Sequence, residues 1–291
     1  MIQRLKDFRT LIKTTIADYK YNKHHLAIRK SDSLEIEFAN LRKYCHMLDK
    51  AMNNPRFEKG HSDKIYREAV SLKDKLEYTY EKDIAYQWAC GIINRFERAQ
   101  QSGKPEIFNN EPRVFSEEEI AYLKEFIRNR TSCRNFKKQL VPSSVIREIV
   151  TLAVDAPNGC CQQSTRFYFT QDACKIRELA PNIAGLTNFT NVQCLVAVCA
   201  DCSHYGLNDK NLQYVDASLA TENFILAAQL FGIYGTMCNF FHAAPEQIVA
   251  VKNLLNIKEC ENIVLFIALG YPVVLPEKPT RRNFEVFYKE A

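Results

Sequence analysis

The chain has 291 residues, of which 46% are hydrophobic and 25% charged, a balance that supports a buried core and excludes a low-complexity or collagen-like polymer. No apolar run approaches the roughly 18 residues a bilayer requires. The charged opening MIQRLKDFRTLIKTTIADYKY lacks a signal-peptide core, so a cytoplasmic protein with no membrane span is expected. The net charge of +5 belongs to residues 1–112, with 21 basic against 16 acidic side chains, whereas residues 113–291 carry 18 of each. The first 30 residues hold eight basic and two acidic groups, which reads as a solvated helix face and otherwise as a surface for nucleic acid, an anionic membrane or an acidic partner. Eleven scattered cysteines, several in apolar surroundings, fit small buried hydrophobes better than a disulfide framework.

Residues 1–100 read as helical, with little Gly or Pro. Within SDKIYREAVSLKDKLEYTYEKDIAYQWACGIINRFERA, the apolar Ile65, Val70, Leu72, Leu76 and Ile84 recur at spacings that can share a helix face. QSGKPEIFNNEPR (101–113) has linker composition and divides the chain into a helical extension, 1–112, and a second unit, 113–291. Ser116 and Glu119 form a capping-box pattern that opens a helix through Arg128. Pro142-Ser143-Ser144 opens another, with Val145, Ile149 and Leu152 as its apolar stripe, which must stop near Ala156–Gly159. RFYFT (166–170) is a short strand, and Asp172 suits the cap of a brief helix after it. VQCLVAVCA (192–200) and NIVLFIALG (262–270) are continuous apolar runs of strand length, as expected of strands covered on both faces. Asp216 suits the cap of a long helix ending at Gly232, and Pro245 suits the first turn of one reaching about Asn256. Helices interleaved with three strands predict a layered α+β or α/β domain around a central sheet.

The chemistry is less obvious. No G-x-G-x-x-G follows a strand and no Walker loop is present. Two candidate anion sites stand out. In Arg130-Thr131-Ser132-Cys133-Arg134, two guanidinium groups and a hydroxyl gather at a helix end, a donor set suited to phosphate. Arg281-Arg282 follows the Pro-rich PVVLPEKPT. Cys199-x-x-Cys202 has no second pair with which to build a zinc ribbon. Cys160-Cys161 are adjacent, a poor geometry for an ordinary disulfide. His242, after two phenylalanines, reads either as a base or as a packed side chain.

These pieces together resemble the FMN-dependent nitroreductases from about residue 118 to 290. Arg130, Ser132, Arg134 and Phe136 match the opening R-R-S-x-R-x-F, with Thr131 in second place. APNGCCQQST (156–165) matches A-P-S-x-x-N-x-Q-P-W at Ala156, Pro157 and Gln163, with Asn158 for Ser, Cys161 for Asn and Ser164-Thr165 for Pro-Trp. Further matches are Cys199-Ala200-Asp201, Ser203 and Tyr205; Asp216, Ala217, Ala220 and Asn223; Gly232, Gly235 and Thr236; and Ala268 to Pro272. The resemblance implies an α+β fold with a central, mostly antiparallel sheet flanked by helices, preceded by the all-helical extension. It implies a cytoplasmic homodimer in which hydride passes from NADH or NADPH (NADP-linked) through FMN to a small-molecule acceptor of nitroaromatic or quinone type, with no nucleic acid and no metal involved.

Carried over by residue, the resemblance assigns Arg130, Thr131, Ser132 and Arg134 to the FMN phosphate, with Arg281 or Arg282 as a closing contact. Pro157, Asn158, Gly159, Cys161 and Gln163 would lie against the flavin ring, in this family usually of the partner subunit, and Thr236, Met237, Cys238 and Asn239 near its reactive nitrogen. No protein residue is assigned the chemistry itself, which belongs to the cofactor. Cys161 and Thr165 depart from the pattern on the ring side. They keep open a flavin-binding or flavin-free partner protein with a decayed site, and a same-fold flavin dehydrogenase acting on a bound peptide or sugar-linked substrate. HMLDKAMNNPRFEKGH (46–61) is similar, at His46, Leu48, Asp49 and Lys50, to an H-x-L-E-K-G-L motif in an extension of some bacterial nitroreductase-like proteins often encoded near cell-surface polysaccharide genes. The extension then reads as a helical layer packed on the catalytic unit, as a lid over the flavin or as a docking surface.

Overall fold

The computed structural model describes residues 2–29, 33–106, 111–240 and 243–290, with side chains from residue 7 onward. His242 and part of the expected linker, 107–110, lie outside these residues. Four helices come first: α1 (Ile2–Arg29), α2 (Leu34–Met52), α3 (Asp63–Tyr80) and α4 (Ile84–Ser102). The last three share a core in which Phe38, Leu41, Cys45 and Leu48 meet Leu76, Ile93 and Phe96. Ile84 does not share the α3 stripe. The chain breaks after Tyr80, Asp83 caps α4 by accepting from the Ala85 N–H, and Ile84 at its first position is exposed.

Beyond residue 110 come α5 (Glu117–Asn129), α6 (Ser143–Ala153), β1 (Thr165–Thr170), α7 (Ala173–Leu179), β2 (Cys194–Asp201), α8 (Leu212–Leu230), β3 (Tyr234–Cys238), α9 (Pro245–Leu255) and β4 (Glu261–Gly270). The strands form one sheet in the order β1-β2-β4-β3, antiparallel throughout. All eight residues of β2 are buried because both faces are covered. Val196 and Val198 pack with Ile146, Ile149 and Phe224 of α6 and α8; Leu195, Ala197 and Cys199 pack with Leu179, Val251 and Phe266 on the other face. No helix among the described residues is long and apolar enough to cross a membrane.

Three expectations are corrected. The sheet has a fourth strand, β3, beyond the three expected, and Thr236 to Cys238 belong to it. Gly235 lies within it because a Cβ there would come 2.7 Å from the Ala268 carbonyl oxygen of β4. Asp216 is no N-cap: α8 starts four residues earlier, and the Asp216 carboxylate is buried inside the molecule. In α6 the buried stripe is Ile146, Ile149 and Ala153, so Leu152 faces out and Val145 is only partly buried.

Candidate functional site

Two groups of the expected site residues occupy opposite ends of the sheet. The first forms where α5 ends. Ser116 and Glu119 close a reciprocal capping box at its start, and Arg130 is its C-cap. The extended segment that follows is pinned to β3: the Cys133 N–H donates to the Gly235 carbonyl at 3.2 Å, and the Thr236 hydroxyl donates to the Cys133 carbonyl at 2.6 Å. The Arg134 carbonyl accepts from the Thr190 N–H, and its guanidinium lies 5.9 Å from the Phe189 ring centre. Thr131 is buried, Arg130 and Ser132 are half-buried and Arg134 is exposed. Among the described residues, the Arg130, Ser132 and Arg134 side chains have neither an ion pair nor a hydrogen bond. This leaves two uncompensated guanidinium groups and a hydroxyl on one short extended segment, a donor set that fits a phosphate dianion.

Thr236 therefore belongs with the arginine segment. Met237, on the other side of β3, is 48% exposed, while Cys238 is buried in the core. Asn239 accepts the Ala184 N–H on its carbonyl and lines a second cavity of about 280 Å³ with Ile183, Phe240 and Gln247. Arg281 and Arg282 are exposed on the C-terminal tail, and Arg281 donates to the nearby Pro279 carbonyl. That tail does pass the end of α5, where Lys278 donates to the Arg128 carbonyl.

The second group is the turn 157–163 beyond the C-terminal end of β2. The Gly159 N–H donates to Asp216 at 2.9 Å, the Asn158 side chain accepts from the Gln163 N–H at 3.0 Å, and the Tyr205 hydroxyl links Ser164 to Asp216. Burial raises the Tyr205 phenol well above its ordinary range, so it stays a neutral donor to that carboxylate. Cys160, Cys161 and Gln163 all have left-handed backbone, with φ of 52°, 58° and 51°. Each such non-glycine residue costs about 1–3 kcal/mol, held in place by its surroundings. Beside the turn, Ala156, Asn158, Gln163, Thr165, Arg166 and Asp216 line a cavity of about 380 Å³.

The extension supplies contacts for which no sequence motif exists. Arg42 of α2, 3% exposed, donates to the Gln162 carbonyl at 2.9 Å, and Glu35 lies 3.2 Å from Arg166 and 3.5 Å from His204. Helix α1 is tied to the same region through His25 on the Tyr205 carbonyl and Arg29 on the Ser203 carbonyl. His46 and Lys50 of the 46–61 motif take no part; Leu48 is core and Asp49 pairs with Arg95 at 3.6 Å. Glu35 and Arg42 share a face of α2 two turns apart, but His204 stands too far from either in sequence for any spacing rule to join it to them.

The Nitroreductase family model matches residues 127–202 and 186–271. An Archaeoglobus fulgidus protein named as an NADH dehydrogenase/NAD(P)H nitroreductase is 30% identical over 152 residues, which cover 51% of this chain and 84% of that protein. The chain belongs to the nitroreductase family. Solved structures share the nitroreductase fold: an NADH dehydrogenase/NAD(P)H nitroreductase from Parabacteroides distasonis, at 20% identity and a TM-score of 0.52, is matched over 98% of its length and 58% of this chain. A nitroreductase-like protein from Streptococcus mutans, at 15% identity and a TM-score of 0.53, is matched over 99% of its length and 59% of this chain. The nitroreductase match begins at residue 127, so α1 to α4 lie outside it, as do Arg281 and Arg282.

Proposed function

We propose that this nitroreductase is an FMN-dependent oxidoreductase taking hydride from NADH or NADPH and reducing a nitroaromatic or quinone-type acceptor. Residues 1–112 are read as its helical extension and 113–291 as its FMN-binding unit. The observation that carries the reading is the uncompensated Arg130, Ser132 and Arg134 group, anchored through Cys133 and Thr236 to β3. A doubly charged phosphate without a Walker loop needs such donors, and charge-assisted hydrogen bonds are the strong ones. Thr131 and Met237 would flank the phosphate end and the ring, and Arg281 or Arg282 would close over the phosphate from the tail. The buried Cys238 supports β3 from behind. Asn239 would act from the strand's end. When bound, FMN supplies the two-electron chemistry; the protein binds and orients it. The name of the A. fulgidus relative supports the NAD(P)H part of the reading.

The distance between the two groups supports a homodimer. Arg134 pairs beyond the Cys194 end of β2, while Ser164 pairs with Asp201 at the other, seven residues on, a separation of about 23 Å at strand rise. One chain does not wrap a single ligand with both. The turn Pro157, Asn158, Gly159, Cys161 and Gln163 would serve the flavin of a second copy.

The direct test is the visible spectrum of the purified protein with FMN, before and after anaerobic NADPH. Flavin absorbance bleached by NADPH is expected. Arg130→Ala should weaken FMN binding about 10- to 100-fold, from the loss of one charged hydrogen bond. Unchanged FMN retention in that variant would remove the phosphate assignment, and a wild-type protein that takes up no flavin would favour the flavin-free partner reading.

A further inference from the structure

We propose that Arg42, on a helix outside the nitroreductase match, is a positioning residue that holds the ring-facing turn 159–163 in its strained shape. The inference rests on the reading of that turn as a flavin contact. Gln162 is the centre of the arrangement. Its carbonyl receives Arg42 Nη2 at 2.9 Å and faces His204 Nδ1 at 2.9 Å, and its side-chain amide donates back to the His204 carbonyl. Two of the turn's three left-handed residues, Cys161 and Gln163, stand on either side of Gln162, so this peptide is where the turn would relax. Arg42 is itself fixed, lying 4.3 Å from the Phe38 ring centre and 3.9 Å from Glu35.

A merely structural role does not suit the residue. Its Nε is buried with no hydrogen-bond partner among the described residues. A buried guanidinium carries a desolvation cost that an apolar side chain of similar length would not. What an apolar residue lacks is the donor to the Gln162 carbonyl and the charge that faces Glu35. The α2 helix thus contributes to the site by fixing a backbone shape, without reaching the ligand.

The test compares wild type with Arg42→Met, which keeps the apolar stem, and Arg42→Lys, which keeps the charge. Amide hydrogen exchange at residues 160–164 should quicken about tenfold or more in Arg42→Met and less in Arg42→Lys, with exchange in β2 and β4 unchanged. FMN and riboflavin should both bind about tenfold more weakly to Arg42→Met, leaving their affinity ratio intact, because the phosphate end is untouched. Arg130→Ala should collapse that ratio instead. Unchanged exchange in Arg42→Met overturns the proposal, as does faster exchange with unaltered flavin binding. If wild type binds no flavin, the functional reading fails and takes the flavin half of the proposal with it, while exchange still decides whether Arg42 holds the turn. Should Arg42→Met not fold, graded loss in Arg42→Lys supports the proposal and wild-type behaviour there overturns it.

Discussion

Glu35 stands where the extension and the nitroreductase core exchange charge. Burial alone would raise its carboxyl, but the imidazole of His204 3.5 Å away, with the charges of Arg42 and Arg166, outweighs that and lowers it from 4.5 to about 2. The folded state therefore binds this proton less readily than the unfolded chain does. The resulting stabilisation is fully present above about pH 4.5 and is lost as the pH falls from there through about 2. With about a third of the side chain open to water, the contribution is on the order of 1–2 kcal/mol rather than the full linkage value. Glu35→Gln should lower the denaturant midpoint at pH 7 and flatten its decline between pH 5 and 2. Parallel curves for the two proteins would show that Glu35 is not the linked group. None of this was legible in the sequence. Glu35 lies 131 residues from Arg166, and a carboxylate on a helix surface looks the same whether or not the fold brings cations to it.

At the scale of elements, the strands β2 and β4 were readable because burial on both faces leaves an unbroken apolar run. The capping box of α5 was readable because it is written in two residues. Strand β3 was not: Tyr-Gly-Thr-Met-Cys is short, contains glycine and shows no apolar alternation. Its place is set by β4, against which Gly235 fits and a larger residue does not. Asp216 misled for a related reason, since an aspartate before an apolar helix suggests a cap, and only the fold reveals Gly159 and Tyr205 as its partners. Gly235→Ala would put a methyl 2.7 Å from the Ala268 carbonyl and 3.1 Å from Ile267. It should cost about 1–3 kcal/mol of stability, the usual scale of overpacking. Because the Gly235 carbonyl also receives the Cys133 N–H, FMN affinity should fall with it. A thermal melt and a flavin titration check both, and stability lost without affinity would separate β3 from the arginine segment.

For the whole molecule, the informative element is the one that packs least. Helix α5 is amphipathic, yet none of its residues is buried. Ile120, Leu123 and Ile127, at i, i+3 and i+7, are 39%, 39% and 60% exposed, and Phe284 and Phe287 of the tail are 66% and 64% exposed. Exposed apolar side chains gathered on one helix face mark an interaction site. In the proposed homodimer, a second copy covers it, and the same contact is what would bring the turn of one copy to the arginine segment of the other. Leu123→Glu with Ile127→Glu places two charges on that face without disturbing a buried residue, so the fold should survive. Light scattering after gel filtration should then report a dimer for wild type and a monomer for the double variant. FMN affinity should drop with dissociation by more than Arg130→Ala alone produces, since the entire ring-side turn departs. A monomeric variant that holds FMN as tightly as wild type would mean that each chain binds its flavin alone, and that the separation of the two groups along β2 has some other purpose.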